Sequence, residues 1–270
     1  MRQRLDRSRG SQQPWRMPYR LITIPASHYC EKARWALQRR GIVFEESGHL
    51  PILHYAASYP ASRTRTVPIL VGDGPTLTDS TDILKFTDAF APPGDELFPA
   101  EPELHAEVSA LEDHFDQKLG PAARRWVYFH LLPNATLAMQ ALGAGVGSTE
   151  RGVGAVLFPL TRLAIRRGLG VYPQKSAKSL ARVQQIFADV GQTLADGRNY
   201  LVGNRFTAAD LTFAALSALV LCPPNYGAKL PSLSDVPPEM AHEICRLRDL
   251  PAGRFAMRLY AEDRQQIRKK

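Results

Sequence analysis

The spacing of apolar and polar positions changes part-way along this chain, and the change divides it. Leu21 to Ile24 is an unbroken aliphatic and β-branched run, which predicts a strand from Tyr19 to Ile24. Pro25 ends it. Ala33, Ala36 and Leu37 then share one face of a predicted helix over residues 28–40, with Ser27 placed as N-cap and Gly41 as the C′ stop. Ile42 to Ser47 predicts a second strand, parallel to the first because a helical crossover joins them. His49 to Ser62 carries Pro51 and Pro60 and predicts at most a short irregular helix. Val67 to Val71 predicts a third strand, and a Gly-Asp-Gly turn at 72–74 leads to a fourth over Thr76 to Thr78. Asp79 or Ser80 caps a helix that runs to about Ala89.

After Ala91-Pro92-Pro93-Gly94 the strand signals stop. Leu104, Val108, Leu111 and Phe115 repeat at helical spacing across Glu101 to Leu119, and a second helix covers Ala122 to about Leu132 before Pro133. Residues 143–154 are Gly-rich and predict a loop. Ala155 to Leu169 is apolar on one side and carries Arg162, Arg166 and Arg167 on the other; a core or lid helix is favoured there over one lying on a membrane surface. Leu180 to Leu194 is amphipathic, and further helices are predicted near Glu239 to Leu247 and from Ala252 to Gln266.

Thr207 and Asp210 have the spacing of a capping box, with Asp in place of Glu, and Phe206 and Leu211 that of a hydrophobic staple. The helix they open is apolar almost all round to Leu219, so it belongs at the centre of a core. The box therefore reads as a folding device. The boundaries that follow are a basic, disordered arm over 1–18, a mixed α/β domain over 19–91, a linker over 92–100, and an all-helical domain over 101–270.

Composition changes this picture little. The 270 residues, 44% of them hydrophobic, suffice for two ordinary cores. The net charge of +8 suggests a nucleic-acid or membrane partner until it is located. Residues 1–18 hold five arginines against Asp6, and Arg264, Arg268, Lys269 and Lys270 close the chain, so the body between is formally neutral. Basic tails of this kind are ordinarily solvated, and nucleic-acid binding is not expected. No apolar run reaches the ~18 residues of a spanning helix. Three unpaired cysteines, Cys30, Cys222 and Cys245, suit a reducing compartment such as the cytoplasm. The seven histidines show no metal-ligand spacing, and no glycine-rich nucleotide fingerprint is present.

The candidate chemistry sits where the first strand meets the first helix. A helix N-terminus leaves backbone N–H groups unpaired and carries partial positive charge, which suits an anion such as a thiolate. Ser27-His28-Tyr29-Cys30 opens that helix, Val67-Pro68-Ile69-Leu70 follows about forty residues on, and Asp79-Ser80 opens another helix. In this order and spacing the three segments resemble the glutathione-binding domain of the glutathione transferase superfamily; the Thr207–Asp210 box resembles one in that superfamily's helical domain.

The resemblance implies a thioredoxin-like α/β domain followed by an all-α helical bundle. It further implies a cytoplasmic, homodimeric glutathione-dependent transferase acting on a small apolar electrophile. Glutathione would be a co-substrate, with no tightly bound cofactor. It assigns Ser27 to hydrogen-bond the glutathione sulfur and favour the thiolate. Val67, beside a cis Pro68, would pair through its backbone with the cysteinyl part, and Asp79 and Ser80 would hold the γ-glutamyl group. His54 or Arg65, neither within a motif, would meet the glycine carboxylate. Thr23 stands where tyrosine-type members have their tyrosine, and Thr66 where some classes have a lysine before Val-Pro. Two other readings stay open: a non-catalytic glutathione- or protein-binding module, and a thiol reductase using Cys30.

Overall fold

The computed structural model describes residues 19–264; the arm over 1–18 and the terminal Arg268, Lys269 and Lys270 lie outside them. The first part of the chain runs β1 (Tyr19–Thr23), α1 (His28–Arg39), β2 (Phe44–Gly48), α2 (Tyr55–Ser62), β3 (Ile69–Val71) and α3 (Ser80–Asp88). The three strands form one sheet in the order β2-β1-β3. β1 is parallel to β2, with Leu21 opposite Glu46, and antiparallel to β3, with Leu21 opposite Leu70. Leu21 and Leu70 meet Ala33 and Leu37 of α1 and Ile83 of α3 in a small core on one face of the sheet.

Two strand expectations are corrected. β2 begins at Phe44 rather than Ile42, because Ile42 N–H donates to Leu37 C=O and Gly41 N–H to Gln38 C=O, with Gly41 at φ 62°. Those bonds commit Ile42 to closing α1. Beyond β3 the expected fourth strand is reduced to a single bridge, Leu70 to Leu77. Pro75 has no N–H to extend the ladder.

After α3 the elements are helical: α4 (Pro102–His114), α5 (Gly120–Leu131), α6 (Ala135–Leu142), α7 (Ser148–Gly168), α8 (Pro173–Thr193), α9 (Ala208–Leu221), α10 (Pro238–Asp249) and α11 (Pro251–Glu262). α9 is buried on every side, and Phe213 at its centre packs at a tilt against Phe115 and Phe187 at ring separations of 5.2 and 5.5 Å. Asp210 accepts hydrogen bonds from Thr207 N–H (2.8 Å), the Thr207 hydroxyl (2.9 Å) and Leu201 N–H (2.8 Å). α1 also packs on α9, and Trp35 lies against Phe206 and Tyr260.

The Gly-rich stretch is a loop only as far as Gly147. α7 starts at Ser148 and runs through Gly154, where a Cβ would collide with Leu50, so glycine permits close helix packing there. α6 was not foreseen; the Asn134 side chain caps it by accepting from Leu137 N–H. α4 and α5 form one continuous rod joined by a π-helical turn over Phe115–Leu119. The Tyr29 hydroxyl donates to Asp116 C=O in that turn at 2.7 Å, and any Cβ at Gly120 would strike it.

Candidate functional site

The segment between β1 and α1 is held from several directions. Ser27 N–H donates to Ile24 C=O at 2.8 Å, closing the turn, and Ser27 occupies the N-cap of α1 in extended conformation. Its hydroxyl makes no capping bond to the helix. The two carbonyls before it are fixed from outside: Arg34 Nη2 donates to Pro25 C=O at 3.3 Å, and the Tyr226 hydroxyl donates to Ala26 C=O at 3.1 Å.

Behind the turn lies a network of buried charge. Arg34 grips Glu46 of β2 with two bonds, Nε–Oε2 3.0 Å and Nη2–Oε1 2.7 Å, and Glu46 also accepts from the Thr23 hydroxyl at 2.7 Å. Burial alone would raise the Glu46 carboxyl, but the Arg34 hydrogen bonds and charge outweigh it and hold Glu46 below the usual range. Glu31 pairs with Arg34, accepts from Gly227 N–H at 3.1 Å, and meets Arg264 Nε at 2.9 Å. Arg264 is wholly buried, against the expectation of a solvated basic tail, because Glu31 draws it in and its guanidinium lies 5.6 Å from the Trp35 ring centroid. The stretch from Tyr226 to Arg264 therefore fastens the helical part of the chain onto the turn that carries Ser27.

Two cavities meet at that turn. One is an open cleft of about 450 Å³ between α2, the Arg65–Val67 segment, α5 and the C-terminal half of α7. The other is a more enclosed, apolar cavity of about 70 Å³ walled by Val127, Leu131, Leu142, Leu219, Val236 and Met240. Ile24, Ser27, Arg124 and Tyr128 line both.

Ser27, Val67, His54 and Arg65 thus border the open cleft. The Val67–Pro68 bond is cis, and Pro68 is buried behind Val67. His54 is buried, and its Nε2 lies 3.0 Å from Arg65 C=O; burial lowers its pKa, so it offers no cation for a carboxylate. Arg65 is exposed beside the Tyr55 ring. Asp79 and Ser80 do not line the cleft as it stands. The Asp79 carboxylate caps α3 by accepting from Thr81 N–H at 2.7 Å, and Ser80 is buried at the first helical position. The Asp79 charge is nevertheless felt at Tyr29, which does line the cleft.

The sequence reading missed Arg124, Tyr128 and His28. Arg124 makes no ion pair among the described residues, whereas its neighbour Arg125 is committed to Leu169 C=O and the Ser179 hydroxyl, both at 2.8 Å. The available signal was a polar pair at i, i+4, Arg124 and Tyr128, on the helix face that also presents Val127 and Leu131. His28 borders the enclosed cavity; burial and then the Arg124 charge push it down to about 3, so it is neutral. Cys30 is fully buried, and burial pushes its thiol up to about 12 despite Arg34 and hydrogen bonding from Ile24 and Ser27. Such a thiol is a poor nucleophile. Taken together, the site offers a helix N-terminus, a hydroxyl not used as a helix cap and a guanidinium without an ion pair among the described residues to an anion held between a large cleft and a small apolar one.

Comparison with known proteins agrees with this architecture. Residues 21–94 match the family model of the glutathione S-transferase N-terminal domain. A search of curated protein sequences gives no match. Among solved structures, a beta-etherase from Sphingobium sp. strain SYK-6 superposes with TM-score 0.58 at 20% identity, over 90% of this chain and 99% of that one. Glutathione transferase F2 from Populus trichocarpa gives 0.58 at 14% identity, over 92% and 100%. A glutathione S-transferase from Methylobacterium radiotolerans, in complex with glutathione sulfonate, gives 0.51 at 18% identity, over 88% and 94%. At these identities the likeness is one of fold. Residues 21–94 thus match the glutathione S-transferase N-terminal domain, and along its length the chain shares the two-part fold of glutathione transferases of known structure, with no class assigned.

Proposed function

We propose that this protein is a glutathione-dependent transferase that passes the glutathione thiolate to a small apolar electrophile. The observation that carries the reading is the Ser27 side chain: it is not used to cap α1 and it borders both cavities. Glutathione occupies the open cleft, whose volume is that of an ordinary small-ligand site. The Ser27 hydroxyl and the α1 N-terminus favour the thiolate over the thiol, and Arg124 adds a full positive charge at the same junction. Val67 pairs with the cysteinyl backbone, and the γ-glutamyl end extends beyond the cleft lining to Asp79 and Ser80 at the start of α3. Arg65, which is exposed and charged, suits the glycine carboxylate better than neutral His54.

The electrophile enters from the side of the apolar cavity. At about 70 Å³ that cavity is half the size of the engineered one of roughly 150 Å³ that admits benzene. The part of the electrophile that it receives is therefore small and apolar. The nucleophile attacks, a carbon–sulfur bond forms and the leaving group departs with the electron pair.

The test is direct. Glutathione binding is measured by calorimetry, and the ionisation of bound glutathione is followed by ultraviolet difference absorbance. The expected result is binding with a thiolate that forms at lower pH than in free glutathione. Absence of binding overturns the proposal. Binding with an unshifted thiol favours the non-catalytic module instead.

A further inference from the structure

α7 buries only a thin strip. Over its 21 residues Gly154, Phe158 and Ile165 are buried, while Val156 is 80% exposed, Leu160 67%, Val153 48% and Leu163 44%. The last four fall at i, i+3, i+7 and i+10, which places them along one side of a helix. Arg151, Arg162 and Arg166 follow another side at helical spacing, and Arg167 borders the apolar stripe. None of the four arginines has an ion pair or side-chain hydrogen bond among the described residues. The helix carries one acid, Glu150, and it is committed to His49 Nδ1 at 2.8 Å and Leu50 N–H at 2.7 Å. Neither the apolar stripe nor the cationic edge is thus answered among the described residues.

Two further features lie beside this helix. Arg162 and Arg166 border a groove of about 300 Å³ whose other walls include Phe129, Leu132, Pro133 and Val171. On the opposite lip of the open cleft, α2 exposes Tyr55 and Tyr59, with the Arg65 and Arg63 guanidinium groups each 5.6 Å from the ring centroids. Tyrosine and arginine both have an apolar body and a polar tip, as a water–lipid boundary requires.

We infer that α7 seats the protein on an anionic lipid surface, with Val153, Val156, Leu160 and Leu163 in the headgroup–acyl boundary and Arg162 and Arg166 receiving a headgroup phosphate. An exposed apolar stripe beside an arginine-rich face is the pattern of an interfacial helix. No helix among the described residues is long and apolar enough to cross a membrane, so the contact is peripheral. A second copy of the chain fits less well. A two-fold contact centred on α7 would bring its unpaired arginines towards one another, and the helix has no free carboxylate to answer them. Anionic lipid supplies the missing charge at every arginine. The inference does not rest on the transferase reading.

The experiment is co-sedimentation of the full chain with phosphatidylcholine vesicles, with and without phosphatidylglycerol. It uses wild type, Val156→Glu/Leu160→Glu and Arg162→Gln/Arg166→Gln, with circular dichroism and light scattering on each. Wild type should bind the phosphatidylglycerol vesicles, more weakly as salt rises. The glutamate pair should abolish binding, and the glutamine pair should weaken it about thirtyfold. All three should remain folded, since the substituted side chains project outward. Wild type left in the supernatant overturns the proposal. So does a glutamate pair that binds as wild type does, which would assign the binding to the basic arm. A glutamate pair that converts an oligomer into monomers with vesicle binding unchanged also overturns it, and makes α7 a subunit interface. A glutamine pair with unaltered affinity overturns the headgroup assignment.

Discussion

α1 and α7 use charge in opposite ways. α1 lies between the sheet and the helical bundle with Glu31, Lys32 and Arg34 all buried, and every one of them is answered. Lys32 alone meets Glu112, Asp116 (2.8 Å) and the Thr81 hydroxyl (3.0 Å). α7 lies outside, and its arginines have no ion pair or side-chain hydrogen bond among the described residues. The difference teaches where each helix's partner is. Buried charge is tolerated only where it is paired and hydrogen-bonded, so α1 has its complement within the chain. α7 leaves apolar area in water beside cations that no described residue answers, which is why we place its complement outside the chain.

The largest expected effect comes from breaking the α1 network. Arg34→Met removes both bonds to Glu46, the pair with Glu31 and the support of Pro25 C=O, leaving Glu46 without its partner and Glu31 with Arg264 alone. Removing one partner of a buried pair costs about 3–5 kcal/mol. Denaturant unfolding should show the loss, with poor recovery of folded protein. Arg264→Met should cost less, about 3 kcal/mol, because Glu31 keeps Arg34 and Gly227 N–H. Equal losses would show that Arg264 and Arg34 act as a unit.

Next comes the site that the network positions. Ser27→Ala should lower the conjugation rate constant about a hundredfold, since one donor to a developing anion is worth about 3 kcal/mol. Glutathione affinity should change little, because the ends of the peptide are held elsewhere. An unchanged turnover number would reduce Ser27 to a turn residue.

The pattern of the chain revealed β1, α1 and α9, because each is contiguous and its periodicity is strong. The turn that carries Ser27 and the cis Val67–Pro68 bond were legible for the same reason: both are local motifs. The network behind the turn was not. Glu31 and Arg34 look like the solvated face of an amphipathic helix, and nothing local shows that Arg264 returns to meet Glu31. Arg124 and Tyr128 were hidden in a helix whose pairing with the first domain sequence spacing does not reveal. Apolar residues at helical spacing look like a core helix wherever they occur, which is why α7 was expected to be a core or lid helix. It does contribute Ala164 and Ile165 to the cleft wall, but most of its apolar face is outside.

A third test concerns Asp210, the buried acid that is answered without a cation. Burial raises its carboxyl to about 6, against opposition from the Leu201 and Thr207 hydrogen bonds. Between about pH 4 and 6 the folded protein therefore keeps a proton that the unfolded chain has lost. The stabilisation is complete below pH 4 and disappears as pH rises through 6, a loss of between about 2 and 3 kcal/mol. Urea unfolding of wild type and Asp210→Asn across that range should show the slope only in wild type. The variant should be less stable throughout, because an amide cannot accept from all three donors. Its folded fraction should keep its glutathione affinity; loss of that affinity at unchanged stability would make Asp210 a site residue.

The smallest expected effect is on α7, and it sharpens the contrast with α1. Arg162→Gln, Arg166→Gln and Val156→Thr should each leave the unfolding midpoint within about 0.5 kcal/mol of wild type, as surface substitutions remote from caps and cores do. The arginines contribute no ion pair to lose, and Val156 gives up little buried area because most of its surface already faces water. A polar residue at Val156 should if anything improve solubility by shrinking the exposed stripe. Loss of more than about 1 kcal/mol at any of these positions would show that α7 is covered in solution by another copy or another part of the chain, and would end the contrast between a helix that is answered from within and one that is not.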